Sequence, residues 1–188
     1  MTIVIAWKDR SLSHFAKKLG ELNAKFPRVA AQEVNKVGAR AKTQVIRNLS
    51  KQTGLPRRVI VAAVGDPAQA RPGKLSYEMK TRGGEIRLKY FSPQETLPGV
   101  VAKPFGKKTL YDGAFMKGGA FPQRKVVARF DGHVYRRLNK SGTHITQVRS
   151  NVVIPVEMTQ GATLRAFEVI AGPLLQQRLY KVLKKLVP

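Results

Sequence analysis

The side chains that most often perform catalysis do not stand at spacings that would let them act together. The three histidines are His14, His133 and His144, and none belongs to a His-x-x-x-His or His-x-Glu pattern that would hold a metal ion. Asp131 and His133 flank a turn dipeptide, where we expect a structural role rather than a catalytic pair. The chain has no cysteine, which excludes disulfides, thiolate nucleophiles and cysteine-based zinc sites.

Phosphotransfer and magnesium-dependent chemistry are disfavoured as well. Lys107 follows Gly106 but lacks the upstream glycine of a Gly-x-x-x-x-Gly-Lys-Ser/Thr phosphate loop. The 11 acidic residues are scattered without a pair at metal-binding spacing, whereas nucleases and phosphotransferases use clustered carboxylates. We therefore expect a binding or structural protein that is not an enzyme and uses no cofactor and no metal.

The charge of the chain predicts an anionic partner. Its 188 residues include 35 Lys and Arg against 11 Asp and Glu, a formal net charge of +24, with a sequence pI near 11.0. Nucleic acid, an acidic protein surface and an anionic membrane are all compatible with this charge. The basic residues are spread along the whole chain, so we expect no separate basic tail and a single domain over 1–188.

Targeting and membrane segments are not expected. The longest apolar run, Val59–Val64, is far shorter than the ~20 residues that cross a bilayer. The apolar start, Met1–Trp7, lacks the charged leading segment and cleavage site of a signal peptide. We interpret it as a first strand in a chain that stays in the cytoplasm.

Helical periodicity predicts the elements that carry many of the basic residues. We expect a helix from Ser11 to Leu22, a longer helix over 26–52 with Pro27 in its first turn, and an end at Gly54. Pro56 begins a further short helical turn, and a last helix covers about 159–187. One side of the long helix carries a basic stripe of Lys36, Arg40, Arg47 and Lys51. The stripe is either an ordinary solvated face or a surface that faces DNA or an acidic subunit.

Alternating apolar and polar residues predict two hairpins. The first pairs 74–80 with 85–90 across Gly83-Gly84, and the second pairs 126–130 with 133–137 across Asp131-Gly132. A further strand covers about 147–155. The expected fold is therefore α+β, with two long helices packed on a mostly antiparallel sheet built from hairpins.

Residues 91–125 are broken by repeated Gly and Pro and carry many lysines. A connection of this length is either a mobile surface loop or an extended arm that reaches another subunit. In the second case its aromatic residues would be the inter-subunit anchors: Phe105, Tyr111, Phe115 and Phe121. Aromatics among lysines are also typical of single-strand binding surfaces, although the prolines disfavour a preformed stacking platform.

Two nucleic-acid readings remain to be compared. A helix-turn-helix reader of DNA is disfavoured, because no pair of short helices surrounds the polar side chains of the long helix. A basic RNA- or DNA-binding protein without catalytic activity stays open, since dispersed lysines suit a protein of the ribosomal type. Composition does not separate that reading from a protein that lines a DNA conduit, because both bind more weakly as salt rises.

The chain resembles the minor tail protein Z family of tailed bacteriophages and prophages, which belongs with the tail-completion or neck proteins. The resemblance is carried by the small-residue helix Val29–Gly38 with its basic continuation, and by Lys51–Ile60, Gly113–Met116 and Val153–Val156. It implies a structural virion protein at the head-proximal end of the tail, made in the cytoplasm of the host bacterium. Such proteins form rings, commonly six-fold, that join the tail terminator and tube to the head connector around the DNA channel.

Combined with the charge, this resemblance leads us to expect non-specific contact with DNA in the channel and no contact with a membrane. We expect the anion-facing surface to consist of the following basic residues: Lys36, Arg40, Arg47, Lys103, Lys107 and Lys108.

Overall fold

The computed structural model describes residues 10–139 and 141–186, and within them the fold is α+β. The helices are α1 (Arg10–Thr53), α2 (Arg57–Val64), α3 (Ile154–Met158) and α4 (Gly161–Leu186). The expectation of a mixed fold with long helices at both ends of the described chain is confirmed. The strand expected at Met1–Trp7 lies outside the described residues.

The first two expected helices form one helix, so a break before Pro27 is wrong. Pro27 lies inside α1, which runs through 44 residues. An interior proline removes one helical hydrogen bond, whereas ending and restarting the helix would leave several backbone groups without partners. The end of α1 agrees with the sequence. Gly54 has a φ of +75° and donates its N–H to the carbonyl oxygen of Ser50 (3.0 Å), and α2 begins after Pro56.

The strands form three small antiparallel sheets rather than one. The first pairs β1 (Glu85–Arg87) with β8 (Arg149–Val153). The second contains β2 (Gln94–Glu95), β3 (Gly99–Ala102) and β4 (Thr109–Asp112), and the third contains β5 (Ala114–Phe115), β6 (Tyr135–Arg137) and β7 (Ile145–Gln147). The antiparallel character is as expected, and the pairs β2–β3, β3–β4 and β6–β7 are local hairpins, whereas β1 pairs with the distant β8.

The hairpin across Gly83-Gly84 is wrong. Residues 85–87 pair with β8 instead, with Glu85 opposite Val153, and the following Leu88–Phe91 segment is a 3-10 turn. Leu88 is 0% and Phe91 2% exposed. Residues three apart lie on the same side of a helical turn but on opposite faces of a strand, so burying both side chains favours the turn.

The second hairpin is also wrong, although its turn is present. His133 donates its N–H to the carbonyl oxygen of Phe130 (2.8 Å) across Asp131 and Gly132, which have φ of +45° and +69°. The segment before the turn is a short 3-10 helix, and β6 after it lies between β5 and β7. This placement sets Tyr135 opposite Phe115 and gathers their rings with that of Phe130, at centroid distances of 4.8–6.3 Å.

The segment 91–125, expected to be an extended arm or a mobile loop, contains the four short strands β2, β3, β4 and β5, and its contact with another subunit stays a prediction. Val100 and Ala102 are fully buried there. The glycines and prolines make turns between short strands: Gly113 donates its N–H to the carbonyl oxygen of Pro98 (2.9 Å). A Cβ at Gly99 would overlap the backbone of Tyr111, so only glycine permits this strand contact.

The described chain divides into two compact units, and a single domain over 1–188 stays a prediction. The first unit contains α1 up to Arg40, the segment Ala68–Glu78, and the part of α4 from Val169 onwards. In this unit Asn35 accepts a hydrogen bond from the Ala70 N–H (2.8 Å) and donates one to the Ala70 carbonyl oxygen (3.0 Å). These two bonds attach the 68–78 segment to α1.

The second unit contains Ala41–Pro67 and Met79–Glu168. Its core joins the last turns of α1 with α2 and with strands from all three sheets, so a long helix packs on strands as expected. The buried members of this core are Val45, Ile46, Leu49, Leu55, Ile60, Val64, Leu88, Phe91, Val100, Ala102, Ala114, Val134, Val152 and Ile154.

Candidate anion-binding surfaces

In the second unit, a short turn packs against the C-terminal end of α1. A Cβ added at Gly54 would lie 2.7 Å from the Gly106 backbone nitrogen and 2.9 Å from the Lys103 carbonyl oxygen. The 3-10 turn Pro104–Gly106 therefore lies directly against Gly54. This contact brings the lysines on either side of the turn to the end of α1, next to the start of α2.

We define the basic corner as the exposed cations that flank this contact. It consists of Lys51, Arg57, Arg58, Lys103, Lys107 and Lys108. The sequence has no acidic residue between Glu33 and Asp66, nor between Glu95 and Asp112. Glu157 lies beside the last turn of α1, but it is buried and accepts hydrogen bonds from Gln52 (2.5 Å) and Gln160 (2.9 Å). Glu157 therefore lies below the surface and is not part of the exposed surface of the basic corner.

Phe105 stands among these lysines in a strained conformation. Its φ is +55°, a left-handed value that costs a non-glycine residue about 1–2 kcal/mol, and its side chain is 39% exposed. Gly106, which follows it, has a φ of +71°. Two consecutive left-handed residues reverse the chain here and leave an aromatic ring at the surface beside Lys103 and Lys107.

The first unit contains a groove between α1 and α4, with a volume of about 370 Å³. We name it the α1–α4 groove. Its lining side chains are Glu33, Arg40, Leu174, Gln177, Arg178, Lys181, Val182 and Lys185. Four of these eight residues are cations and one is a carboxylate, so the groove is strongly basic.

Glu33 is held by two of the neighbouring cations. The Lys36 ammonium donates to one of its carboxylate oxygens (2.7 Å), and the Arg178 guanidinium donates to the other (2.8 Å). These hydrogen bonds, first from Lys36 and then from Arg178, hold the pKa of Glu33 below its usual value, although burial acts in the opposite direction. Glu33 is thus an ionised internal partner of the groove cations.

The six residues expected to face an anion are exposed, but they fall into two groups. Lys36 and Arg40 belong to the first unit, where Arg40 lines the α1–α4 groove and Lys36 is committed to Glu33. The others belong to the second unit, and three of them, Lys103, Lys107 and Lys108, contribute to the basic corner. Arg47 lies on α1, one turn before Lys51, and is also exposed.

Sequence analysis missed the cations of α4. Arg178, Lys181 and Lys185 follow one another at spacings of three and four residues, which places them on one helical face. This spacing could have revealed a basic face on α4. That this face lies opposite Arg40 depends on how α1 and α4 pack, which the spacing does not record.

The four expected anchor aromatics do not form one exposed set, and their contact with another subunit stays a prediction. Phe115 is 8% exposed and packs against other aromatic rings, and Tyr111 is half-buried against the core of the second unit. Phe105 and Phe121 remain available at the surface, at 39% and 38% exposure. The strand pairing of β4 and β5 accounts for the burial of the other two.

His133 and Asp131 make structural contacts, as the turn position predicts. The His133 ring is buried and lies 3.7 Å from the Asp131 carboxylate and 3.5 Å from the Arg87 guanidinium. Burial, and then the charges of Lys89 and Arg87, lowers the pKa of His133, whereas a hydrogen bond from Lys89 (2.9 Å) lowers the pKa of Asp131. The Asp131 carboxylate is thus engaged by Lys89.

The described ranges contain neither a metal-binding cluster nor a membrane-crossing helix. Residues 10–139 and 141–186 contain no group of three or more His, Asp or Glu side chains that could hold a metal ion. The same part of the chain contains no helix long and apolar enough to cross a membrane. Comparison with known proteins gave no matching family model, no matching curated protein and no matching solved structure.

Proposed function

We propose that this chain is a non-enzymatic structural protein that contacts the phosphate backbone of DNA through the basic corner. The observation that carries the proposal is the corner itself: six exposed cations gathered by the contact of Gly54 with the 103–106 turn, in two stretches of sequence without acidic residues. Lysine ammonium groups bind phosphates as point charges and do not read base sequence. The expected binding is therefore non-specific.

The resemblance to the minor tail protein Z family supplies the setting of the proposal. In that setting the chain is a component of the virion, located at the tail neck. Copies of it form a ring, six-fold like the tail, between the tail terminator or tube and the head connector. A basic subunit repeated around a pore multiplies its charge at the DNA, which offsets repulsion between phosphates in the channel.

The salt dependence of DNA binding tests the phosphate contact. Each phosphate neutralised on duplex DNA contributes a slope of about −0.9 to the logarithm of affinity against the logarithm of salt, so six cations give about −5. Reversing two charges, Lys107→Glu with Lys108→Glu, is expected to make the slope shallower by about 2. The matched control, Lys117→Glu with Lys125→Glu, makes the same charge change at exposed lysines outside the corner.

Equal effects of the two double variants would contradict the basic corner as the DNA contact. The RNA-binding alternative predicts instead that the isolated chain prefers structured RNA over duplex DNA at the same salt concentration. Electron microscopy of purified particles tests the setting, because a ring at the tail neck is visible by position and symmetry. Unchanged particle assembly and DNA retention in the Lys107→Glu, Lys108→Glu variant would contradict a role of these lysines in the channel.

A further inference from the structure

The α1–α4 groove has more positive charge than its own carboxylate can balance. Glu33 is already bound by Lys36 (2.7 Å) and Arg178 (2.8 Å). The remaining cations of the groove, Arg40, Lys181 and Lys185, have no hydrogen-bonding or ionic partner among the residues that the structure describes. Three cations that converge on one concave surface without a partner repel one another, and an anionic ligand removes that repulsion.

Arg178 adds positive charge in the same place. One of its terminal nitrogens donates to Glu33, but its Nε is buried and has no partner in the described part of the chain. Because this Nε is buried, a ligand in the groove does not reach it, and Arg178 contributes the positive charge of its guanidinium, part of which Glu33 balances. Arg178 and the three unpartnered cations together favour a ligand with several closely spaced negative charges.

The groove also presents aliphatic side chains to its ligand. Leu174 and Val182 line it, both half-buried, and they are eight residues apart on α4, about two helical turns. Nucleic-acid phosphates and sugars offer no aliphatic side chain to cover these two residues. A peptide that carries carboxylates next to leucine or valine matches both the charge and the apolar part of the lining.

A second copy of this chain does not provide such a segment. Its 11 acidic residues are so dispersed that the two nearest in sequence, Glu78 and Glu85, are seven residues apart. We propose that the α1–α4 groove binds an acidic, aliphatic-bearing segment of a different protein. The proposal goes beyond the DNA contact, because it names a separate surface and another class of partner. It stands or falls independently of the basic corner.

Binding of a synthetic peptide tests the groove directly. The probe is a helical peptide of about 14 residues, labelled for fluorescence anisotropy. Its leucines are three or four positions apart, so that they share one face of the helix, and glutamates flank them. It binds the full chain, and replacing its leucines by serines at constant charge weakens binding about tenfold. Lys181→Glu with Lys185→Glu weakens binding of the leucine peptide by about tenfold or more.

The control variant, Lys107→Glu with Lys108→Glu, makes the same charge change at the basic corner, and it leaves peptide affinity within about twofold. Circular dichroism of each variant establishes that the helices remain. Reaction of lysines with an acetylating reagent gives a second readout on the unmodified chain. In this experiment the bound peptide protects Lys181 and Lys185 from acetylation, whereas Lys107 and Lys108 stay reactive.

Three results would overturn the proposal. One is equal affinity for the leucine and serine peptides, which would reduce the groove to a general patch of charge. Another is an equal loss of peptide affinity in the two double variants, or no peptide binding at all. The third is displacement of the peptide from Lys181 and Lys185 by a single-stranded oligonucleotide of equal charge, which would assign the groove to nucleic acid. These peptide measurements do not depend on the DNA contact, so they test the groove even if duplex DNA does not bind at Lys107 and Lys108.

Discussion

Gly54 is expected to hold the basic corner together, and two alanine substitutions test this. Gly54 and Gly106 have nearly the same φ, +75° and +71°, and they face each other across the contact between α1 and the 103–106 turn. A Cβ at Gly54 would point at backbone atoms 2.7 and 2.9 Å away, whereas a Cβ at Gly106 would meet nothing within 4 Å. The pair therefore separates backbone strain from loss of packing.

The expected losses of stability follow from these two geometries. Alanine in the left-handed region costs about 1–2 kcal/mol, and both Gly54→Ala and Gly106→Ala incur this cost. Overpacking against backbone adds about 1–3 kcal/mol for Gly54→Ala alone, which brings its loss to roughly 2–5 kcal/mol. For a chain of this size, each kcal/mol lowers Tm by about 2–4 °C.

Urea and thermal unfolding followed by circular dichroism measure both losses, and DNA affinity supplies a functional readout. Gly54→Ala displaces the turn that carries Lys103 and Lys107, so it weakens duplex DNA binding, whereas Gly106→Ala leaves affinity nearly unchanged. If the two variants lost the same stability and bound DNA equally well, the contact between α1 and the turn would not organise the basic corner. That result would refute the reasoning.

Three further predictions, which use four substitutions, test other contacts. Gly38→Ala places a methyl group against the Tyr77 ring and is expected to lower the free energy of unfolding by roughly 0–2 kcal/mol. Gly20→Ala has open space around the new methyl group and is expected to raise it by about 1 kcal/mol through helix propensity. Urea unfolding compares the two variants, and a gain of stability in both would contradict the contact of Gly38 with the ring. The pKa of His133 lies below its usual 6.5, so the unfolded chain takes up the proton first and the free energy of unfolding falls as pH drops below about 6.5. His133→Gln is expected to make this fall with pH smaller, as measured by urea unfolding at a series of pH values. An unchanged pH dependence would assign the fall to other groups. The pKa of Glu33 is lowered in the fold, so its ionised form adds stability above about pH 4.5, and this contribution is lost as pH falls through the pKa of the folded state. In urea unfolding, Glu33→Gln is therefore expected to lower the free energy of unfolding by about 1–2 kcal/mol at pH 7 and by almost nothing at low pH. A loss of stability that did not change with pH would exclude the ion pairs of Glu33 as its cause.

Local signals in the sequence located helix ends well and strand partners poorly. Gly54 and Pro56 mark the end of α1 and the start of α2 because their preferences act within one turn of backbone. The partner of β1 is β8, and Ser150 donates to the Ile86 carbonyl oxygen (2.7 Å) across 64 residues of sequence. The nearby Gly83-Gly84 dipeptide favours a local hairpin, but it does not encode this distant competitor.

In the candidate surfaces, too, local properties could be predicted from the sequence and contacts between distant residues could not. Exposure of Lys103, Lys107 and Lys108 follows from their charge, and the sequence was sufficient to predict it. Their assembly with Lys51 depends on a contact between residues 54 and 106, about fifty positions apart, which no periodicity records. The ring, the virion location and the DNA partner derive from the family resemblance and the charge, and they stay predictions.

The first unit is discontinuous in sequence, and this has a consequence for the order in which the chain folds during synthesis. Arg178 follows Glu33 by 145 residues, which at about 5–20 residues per second leaves Glu33 without this partner for roughly 7–30 s of translation. All residues of the second unit are made before the α4 face that carries Arg178, Lys181 and Lys185. The sequence of the second unit is therefore complete before the α4 residues of the groove are added, and the α1–α4 groove exists only in chains that include α4 through Lys185. A chain interrupted before α4 is complete can carry the basic corner but lacks the groove.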